Sequence, residues 1–315
     1  MHALQDLLSA VTFGTPVTHG PLTCLPLIEK ESAGRGTPPE EPLVLEEALA
    51  SGRFAVTEVS DGGSVPTLRV LNETGRPVFL LDGEELVGAK QNRVLNLSLL
   101  VPAGASIEIP VSCVEAGRWS YHRRDFAAAE RVQFARGRAR KLEQVSASLA
   151  SRGAAFSDQG DVWAEIDAKA ARMDARSATG AMAAIYESRA GELQRFAAGI
   201  EPVPGQRGAV YLIGEQVAGI DLFATPPLAA RLARKVLHGY ALDALEQPDL
   251  PPAKDPELAA RVFLMALQEC AAQAFPAPGR GETLRLGGEG AVGAALVVEG
   301  EVLHLEGFAV AATPE

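Results

Sequence analysis

Two neighbouring stretches of alternating polarity constrain the fold of this chain more than any other feature. Residues 94–101 place leucine or valine at every second position, with Asn96 and Ser98 between them. Residues 107–114 alternate in the same way, and a Pro-Ala-Gly turn separates the two stretches. Because successive side chains of a β-strand point to opposite faces, this period of two predicts strands with one buried face each.

Three runs upstream also have the composition of strands. Residues 54–59 and 67–71 are rich in β-forming side chains, and residues 77–81 form a continuous apolar run between turn residues, as in a buried strand. Short strands that follow one another without intervening helices favour an antiparallel sandwich or a barrel-like sheet over parallel βαβ units.

The rest of the chain combines helices with hairpins. Apolar residues recur at helical spacing through residues 142–196, which predicts a helical middle. The pattern predicts later helices over 226–245 and 255–275, the second introduced by Asp255-Pro256-Glu257. We therefore predict an α+β fold in three parts: a β-rich domain over 1–120 that carries a polar loop, a helical segment over 121–204, and an α+β segment of two hairpins and two helices over 205–315.

Composition excludes several classes of protein. No apolar run approaches the roughly 20 residues that a membrane helix needs, and the first residues lack the basic start and cleavage site of a secretory signal. The formal net charge of −11 disfavours nucleic acid and membrane surfaces as partners. The three cysteines are widely spaced and form no CxxC pair, which argues against disulfides and fits a reducing cytoplasm.

One stretch runs against the acidic average. Between Arg118 and Lys141 there are eight Arg or Lys residues and only two acids, a local balance of +6. Such a run is typical of a solvated helix face. The alternative is a positive rim that attracts anionic ligands such as phosphates.

The polar segment Asp82–Arg93 carries the densest set of reactive side chains and lies between two predicted strands. Gly83 and Gly88 would allow positive φ angles or a close approach to a ligand. The alternative is a polar loop whose charges only neutralise each other. By residue chemistry, the candidates are Glu84 and Glu85 as general acid or base, Asp82 as a ligand of a metal such as Mg²⁺, and Lys90, Gln91, Asn92 and Arg93 as ligand-binding residues.

A second polar cluster follows the last of the alternating strands. Glu115 and Arg118 are further ligand-binding candidates, together with Asn96, because arginine binds anions through two parallel N–H groups. Trp119 offers a stacking face, although a tryptophan at a strand end also suits a core. Cys113 falls on the apolar side of its strand, which predicts a buried structural thiol.

Common catalytic motifs are absent from the sequence. The five histidines show no HxH or HExxH spacing, and there is no GxSxG, Walker A or strand-anchored GxGxxG motif, which removes the usual zinc-hydrolase, P-loop and Rossmann interpretations. His304 shares a strand face with Val302 and Glu306, and we expect it to be a hydrogen-bonded histidine within a sheet.

The sequence resembles an uncharacterised prokaryotic family named for its association with ADP-ribosylglycohydrolase and rhodanese–phosphatase proteins. The block from Leu81 to Trp119 carries most of the resemblance, and Gly219–Phe223 and Gly293–Phe308 are also similar. The resemblance implies a role with ADP-ribose or a related NAD-derived nucleotide, and a protein partner from an ADP-ribose pathway. It implies no catalytic residue.

Three hypotheses follow from the sequence. The first is a nucleotide-handling protein that binds, and in its enzymatic form hydrolyses, an ADP-ribose-like phosphorylated ligand at the polar segment. The second is a non-catalytic binding or scaffold protein for a partner enzyme. The third is a homo-oligomer that associates through its helical middle.

Overall fold

The computed structural model describes residues 2–31, 40–60, 62–121 and 125–310. These residues form helices α1 His2–Ser9, α2 Leu45–Ala50, α3 Ala135–Arg152, α4 Gln159–Arg172, α5 Ala183–Ser188, α6 Ala190–Gly199, α7 Pro226–Ala244 and α8 Pro256–Glu269. They also form strands β1 Val11–Phe13, β2 Val17–His19, β3 Leu22–Glu29, β4 Leu43–Val44, β5 Phe54–Glu58, β6 Thr67–Asn72, β7 Val78–Leu80, β8 Glu84–Gly88, β9 Arg93–Leu95, β10 Leu99–Val101, β11 Ser106–Cys113, β12 Phe126–Val132, β13 Gln206–Ile213, β14 Gln216–Phe223, β15 Ala271–Pro276, β16 Glu282–Gly287, β17 Ala291–Val298 and β18 Glu301–Ala309. Strand-rich ends flank a helical middle, which confirms the predicted α+β class. None of the described helices is long and apolar enough to cross a membrane.

The largest sheet has nine strands in the order β1-β3-β13-β14-β18-β17-β16-β15, and β2 also pairs with β3. Its strand pairs are antiparallel. Because β3 pairs with β13, strands from the start and from the last third of the chain share this sheet. The division of the chain into three parts stays a prediction.

Side-chain alternation gives this sheet two buried faces. On β13, Ala209 and Tyr211 join the core that contains α7, whereas Val210 and Leu212 join the core that contains α1 and α8. The start of α7 is fixed locally, because the Thr225 side chain accepts a hydrogen bond from the backbone of the first turn and proline follows it.

Two smaller sheets surround a separate core. One has six strands in the order β12-β8-β9-β11-β6-β5, and the other has three in the order β10-β7-β4. Helix α3 connects the two halves of the molecule, because it contributes Val145 and Leu149 to this core and Leu142 to the core beside α7.

The predicted strand over 94–101 is in fact two strands in different sheets. Strand β9 pairs with β11, and β10 pairs with β7, so residues 96–98 carry the chain from one sheet to the other. The alternating leucines and valine are buried as the period of two predicted.

The predicted helix over 255–275 ends earlier, at Glu269. Cys270 has an extended backbone (φ −56°, ψ 139°), and residues 271–276 form β15 against β16. The alanines of this segment favour a helix, but pairing with the sheet overrides that weak local preference.

The polar segment Asp82–Arg93 is not the loop that we predicted. Residues 84–88 form β8, which pairs with β9 and β12, and every residue of the segment except Val87 is buried. The positive φ angles expected of Gly83 and Gly88 are present, at +75° and +139°. Buried charges are tolerated only when they are paired, and the partners come from distant parts of the chain.

Candidate functional site

Charged side chains meet at the junction between the large sheet and the smaller ones. We call this group the central ionic cluster, and each member is at most 2% exposed. It consists of Asp82 after β7, Arg138 and Lys141 on α3, Asp221 on β14, and His304 and Glu306 on β18.

Arg138 is the centre of the cluster. Its Nη1 and Nη2 donate to the two carboxylate oxygens of Asp221 at 3.0 and 2.7 Å, and Nη2 also donates to Glu306 at 2.7 Å. Burial acts to lower the pKa of Arg138, but the two carboxylates outweigh it and the pKa is raised. Burial would likewise favour a neutral Asp221, yet Arg138 and His304 hold the pKa of Asp221 at about 2.

Two glycines leave the space that the side chains of the central ionic cluster occupy. A Cβ at Gly83 would lie 3.0 Å from Cγ and Cδ of Arg138, so glycine leaves room for the arginine stem. A Cβ at Gly219 would lie 2.8 Å from the Tyr240 hydroxyl, which donates to Asp221 at 2.9 Å. Glycine at each position therefore makes room for the polar contact beside it.

Lys141 extends the cluster toward the polar segment. Its Nζ donates to both carboxylate oxygens of Asp82, at 2.9 and 3.0 Å, and to the Leu95 carbonyl at 2.5 Å. Burial lowers the pKa of Lys141, and Asp82 opposes that shift. The carboxylate that the sequence offered as a metal ligand is therefore already neutralised by lysine.

His304 connects the cluster to Ser98 as a hydrogen-bonded sheet histidine, as predicted. Its Nε2 lies 3.1 Å from Asp221, and its Nδ1 lies 2.9 Å from the Ser98 hydroxyl. The Ser98 hydroxyl also accepts from the Asp82 backbone N–H at 2.9 Å. Although serine, histidine and aspartate follow one another as in a nucleophile relay, all three are buried. We therefore interpret this chain of hydrogen bonds as a structural link between the segment after β9, which carries Ser98, and strands β14 and β18 of the large sheet.

The two proposed catalytic glutamates point to opposite sides of β8, and each has a cation. Glu84 pairs with Lys235 of α7, and Glu85 pairs with Arg131 of β12 and accepts from Asn92 at 3.1 Å. Both glutamates are 0% exposed. Burial raises the pKa of each, against the opposing effect of its cation.

Arg93 differs from these residues, because only part of its guanidinium is bonded. Nη1 donates to Gln91 Oε1 at 2.7 Å, and Gln91 in turn donates to the Glu115 carbonyl at 3.1 Å. Arg93 is 0% exposed, yet its Nε and Nη2 have no hydrogen-bond partner in the described structure. Burial lowers the pKa of Arg93, although the charge of Glu58 and the Cys113 thiol, which lies within weak hydrogen-bonding reach of the guanidinium, oppose that shift.

Glu115 and Arg118 form the wall next to Arg93. Arg118 donates to Glu115 Oε2 from Nε at 2.9 Å and from Nη2 at 2.7 Å, while Thr179 donates to Oε1 at 2.8 Å. Burial acts to raise the pKa of Glu115, but these bonds lower it overall. Asn92 joins them by accepting from Arg118 at 3.1 Å.

Two aromatic rings lie beside Arg93 and its neighbour Lys90. The Arg93 guanidinium lies 5.7 Å from the centre of the Trp119 ring, and Lys90 Nζ lies 5.2 Å from the rings of both Trp119 and Tyr121. The two rings are 47% and 48% exposed. Both carboxylate oxygens of Glu58 are buried here without a hydrogen-bond partner among the described residues.

A glycine leaves room for the side chains of this region to pack closely. Gly63 has φ +75°, and a Cβ there would lie 3.3 Å from both Glu58 Oε2 and the Trp119 ring. We call the group the Arg93 site. It consists of Glu58, Gly63, Lys90, Arg93, Trp119 and Tyr121.

The structure brings most of the predicted binding residues together around Arg93 and separates the others. Asp82 belongs to the central ionic cluster and Glu84 faces α7. Asn96 lies apart, donating to the Ala155 carbonyl at 2.9 Å and accepting from Ser112 at 2.6 Å. The residues connected around Arg93 by hydrogen bonds, ion pairs or ring contacts are Glu85, Lys90, Gln91, Asn92, Glu115 and Arg118.

The basic stretch from Arg118 to Lys141 fits neither of the two predicted arrangements, a solvated helix face or a positive rim. Arg131, Arg138 and Lys141 point inward to buried carboxylates, whereas Arg136 and Arg140 are exposed. Arg123 and Arg124 lie outside the described residues. The stretch is therefore neither a wholly solvated face nor a continuous positive rim.

Sequence reasoning missed Glu58 and most of the central ionic cluster. A signal was available for Asp221 and Glu306, since each is an acid at an inward position of an otherwise apolar strand. Glu58 ends a strand and carries no such signal. Among the described residues, no group of three or more His, Cys, Asp or Glu is placed to hold a metal ion, and Mg²⁺ binding stays a prediction.

The three blocks that carry the family resemblance meet at the central ionic cluster. Leu81–Trp119 supplies Asp82, Gly219–Phe223 supplies Asp221, and Gly293–Phe308 supplies His304 and Glu306. No curated protein and no solved structure matches this chain. The model of the ARG and Rhodanese-Phosphatase-superfamily-associated Protein domain matches residues 10–308. The chain therefore belongs to the family that this domain defines.

Proposed function

We propose that the protein binds a phosphorylated, ADP-ribose-like nucleotide at the Arg93 site, in the cytoplasm. The observation that carries this proposal is the guanidinium of Arg93, which is fully buried and has two nitrogens without an oxygen or nitrogen partner in the described structure; the Cys113 thiol, a weak partner, lies nearby. A buried polar group left without a partner costs roughly 1–3 kcal/mol. Such groups in a native protein call for an explanation, and a ligand is one.

The two unbonded nitrogens have the geometry that an anion requires. Nε and Nη2 lie on one edge of the guanidinium, and their N–H bonds run side by side, so together they can donate to two oxygens of one phosphate or carboxylate. Gln91 holds the opposite nitrogen at 2.7 Å. The edge is thus oriented before any ligand arrives, which reduces the entropy lost on binding.

The surroundings of Arg93 suit the rest of a nucleotide. The half-exposed rings of Trp119 and Tyr121 offer faces for a base. The two unbonded oxygens of Glu58 can accept hydrogen bonds from ribose hydroxyls. Lys90 lies between the rings and adds positive charge. A ligand that carries phosphate, hydroxyls and an aromatic base uses all of these groups.

Binding has more support than hydrolysis. Glu84 and Glu85 are each ion-paired with a cation, whereas a general acid or base must be free to reach the proton that it transfers. Arg93, by contrast, keeps two of its donors unpaired in the described structure. The family's name links it to ADP-ribosylglycohydrolase proteins, which supports an ADP-ribose-like molecule as the ligand.

Tryptophan fluorescence tests the proposal directly. The chain has two tryptophans, so Trp163→Phe leaves Trp119 as the sole reporter beside Arg93. Titration of this variant with ADP-ribose should change its emission saturably. Adding Arg93→Lys keeps the charge but removes the paired donors, and we expect binding to weaken at least ~10-fold, or about 1.4 kcal/mol.

The matched control is Arg69→Lys, an exposed arginine on β6 that pairs with Glu108 on the surface. It should leave the affinity unchanged. No saturable response at millimolar ADP-ribose, or equal affinities for the Arg93→Lys and Arg69→Lys variants, would contradict the proposal.

A second candidate is a scaffold for a partner enzyme. Helix α8 exposes Leu258, Val262 and Met265, which are 58–60% exposed and spaced on one face. Exposed apolar patches often mark protein interfaces. Affinity capture with the wild-type chain and with a Val262→Glu variant tests this idea. The wild-type chain should recover a stable partner, and the variant should not.

A further inference from the structure

An apolar groove lies between α7 and the large sheet, away from the Arg93 site. It consists of two adjoining cavities of about 430 and about 400 Å³. Both volumes fall in the range of small-molecule sites, which is roughly 300–1,000 Å³. The cavities share five lining residues and so form one continuous groove; these are Pro202, Gln206, Tyr211, Ala230 and Ala233.

Small side chains on α7 and a proline-containing segment line much of the groove. Helix α7 places Ala229, Ala230 and Ala233 along it, where longer side chains would fill the space. The opposite wall contains Pro202 and Pro204, and proline has no backbone N–H. The surface that a ligand would meet is therefore mainly apolar.

Tyr211 forms the floor and is rigidly held. Its ring stacks on Tyr240 with a centroid separation of 4.1 Å and an interplanar angle of 15°. Tyr211 is 4% exposed and lines both cavities, and its hydroxyl is not among the buried polar atoms of the described residues that lack a partner. A tyrosine hydroxyl at the edge of a cavity can donate a hydrogen bond to a ligand that enters it.

The charges around the groove favour neither an anion nor a cation as that ligand, because Glu201 and Arg234 line one cavity with opposite charges. Asp221 lines one cavity and is already bonded to Arg138, His304 and Tyr240. Burial raises the pKa of the neighbouring Cys24 thiol to about 12, so this floor residue is neutral. The Gln206 side chain accepts from the Val203 backbone at 3.0 Å, which leaves its amide N–H groups as donors.

We propose that this groove is a second ligand site, which takes an uncharged planar aromatic molecule bearing a carbonyl or hydroxyl acceptor. The aromatic body fills the space between the alanines and the prolines. The acceptor receives the Tyr211 hydroxyl hydrogen and an N–H of Gln206. This site is independent of nucleotide binding at Arg93.

The neutral naphthalene ketone prodan is a suitable probe, because it combines two fused rings with one carbonyl and its emission shifts to the blue in apolar surroundings. We expect saturable binding to the full chain with a blue shift. Ala233→Phe fills the groove and should abolish that signal. Ala150→Phe, an exposed position on α3, is the matched control and should leave it intact.

Tyr211→Phe provides a second variant that keeps the stacked ring. Losing one neutral hydrogen bond of about 0.5–1.5 kcal/mol should weaken prodan binding roughly 2- to 12-fold. The proposal is overturned if prodan fails to saturate, if the Ala233→Phe and Ala150→Phe variants bind it equally, or if Tyr211→Phe leaves its affinity unchanged. Arg93→Lys should leave prodan binding unchanged, which separates this site from the nucleotide site.

Discussion

Replacing Asp221 with asparagine removes one negative charge from the central ionic cluster while keeping the shape of the side chain. Asp221 accepts hydrogen bonds from Arg138, His304 and Tyr240, so its loss leaves Arg138 with less than its full complement of counter-charge. Removing one partner of a buried ion pair costs about 3–5 kcal/mol. We expect the free energy of unfolding at pH 7 to fall by that amount.

The pH dependence of stability gives a second magnitude. The pKa of Asp221 is about 2 in the folded protein and roughly 3.9 in an unfolded chain. Above the unfolded value its ionisation contributes about 2–3 kcal/mol to stability. That contribution is lost as the pH falls through the folded value. The wild-type protein should therefore gain stability from this group between about pH 2 and pH 4, and Asp221→Asn should lack that part of the slope.

Urea unfolding followed by circular dichroism measures both effects. The matched control is Asp249→Asn, an exposed aspartate after α7, which should change the free energy of unfolding by less than about 0.5 kcal/mol. A loss below about 1 kcal/mol for Asp221→Asn at pH 7, together with an unaltered acid slope, would refute the assignment of Asp221 as the ionised partner of Arg138.

Three other perturbations have defined outcomes. Gly219→Ala would place a Cβ 2.6 Å from the Gly307 carbonyl oxygen and 2.8 Å from the Tyr240 hydroxyl. We expect this variant to have a lower melting temperature, and an unchanged melting temperature would contradict the close packing around Gly219. Lys235→Met leaves the buried carboxylate of Glu84 without its cation and should lower the urea midpoint by the equivalent of about 3–5 kcal/mol. Adding Glu84→Gln should restore part of the lost stability, and no recovery would argue against the ion pair. All three cysteines are free and buried, so a thiol reagent should label none of them quickly in the native protein and all three in urea, and rapid native labelling would be inconsistent with their burial.

Local signals were enough to predict several elements. The alternation over residues 107–114 marks β11, and the start of α8 follows from Asp255, whose side chain accepts from the Leu258 backbone at 3.0 Å. The hairpin of β13 and β14 is one of the two predicted over residues 205–315, where a short polar turn separates two apolar runs. In each case the residues that decide the structure lie within one turn or one strand of each other.

The pairing of buried charges was not predictable in the same way. Hydrophobic periodicity treats a charged residue as solvent-facing, so Glu84 and Glu85 appeared to belong to a loop. Their cations, Lys235 and Arg131, lie 151 and 46 positions away, and no spacing rule connects them. The charge of Glu58 likewise acts on Arg93 only because the fold brings the end of β5 close to β9, which no local pattern predicts.

The central ionic cluster also constrains the order in which the chain can fold. Asp82 meets Lys141 across 59 positions and Arg138 meets Glu306 across 168, so its members come from early, middle and late segments. A partly folded chain that buried α3 before β18 had docked would enclose Arg138 without its full set of counter-charges, at a high cost in free energy. Contacts of such long range also slow folding. We therefore expect the two halves of the molecule to fold as one cooperative unit, and a fragment ending before β14 to leave α3 undocked.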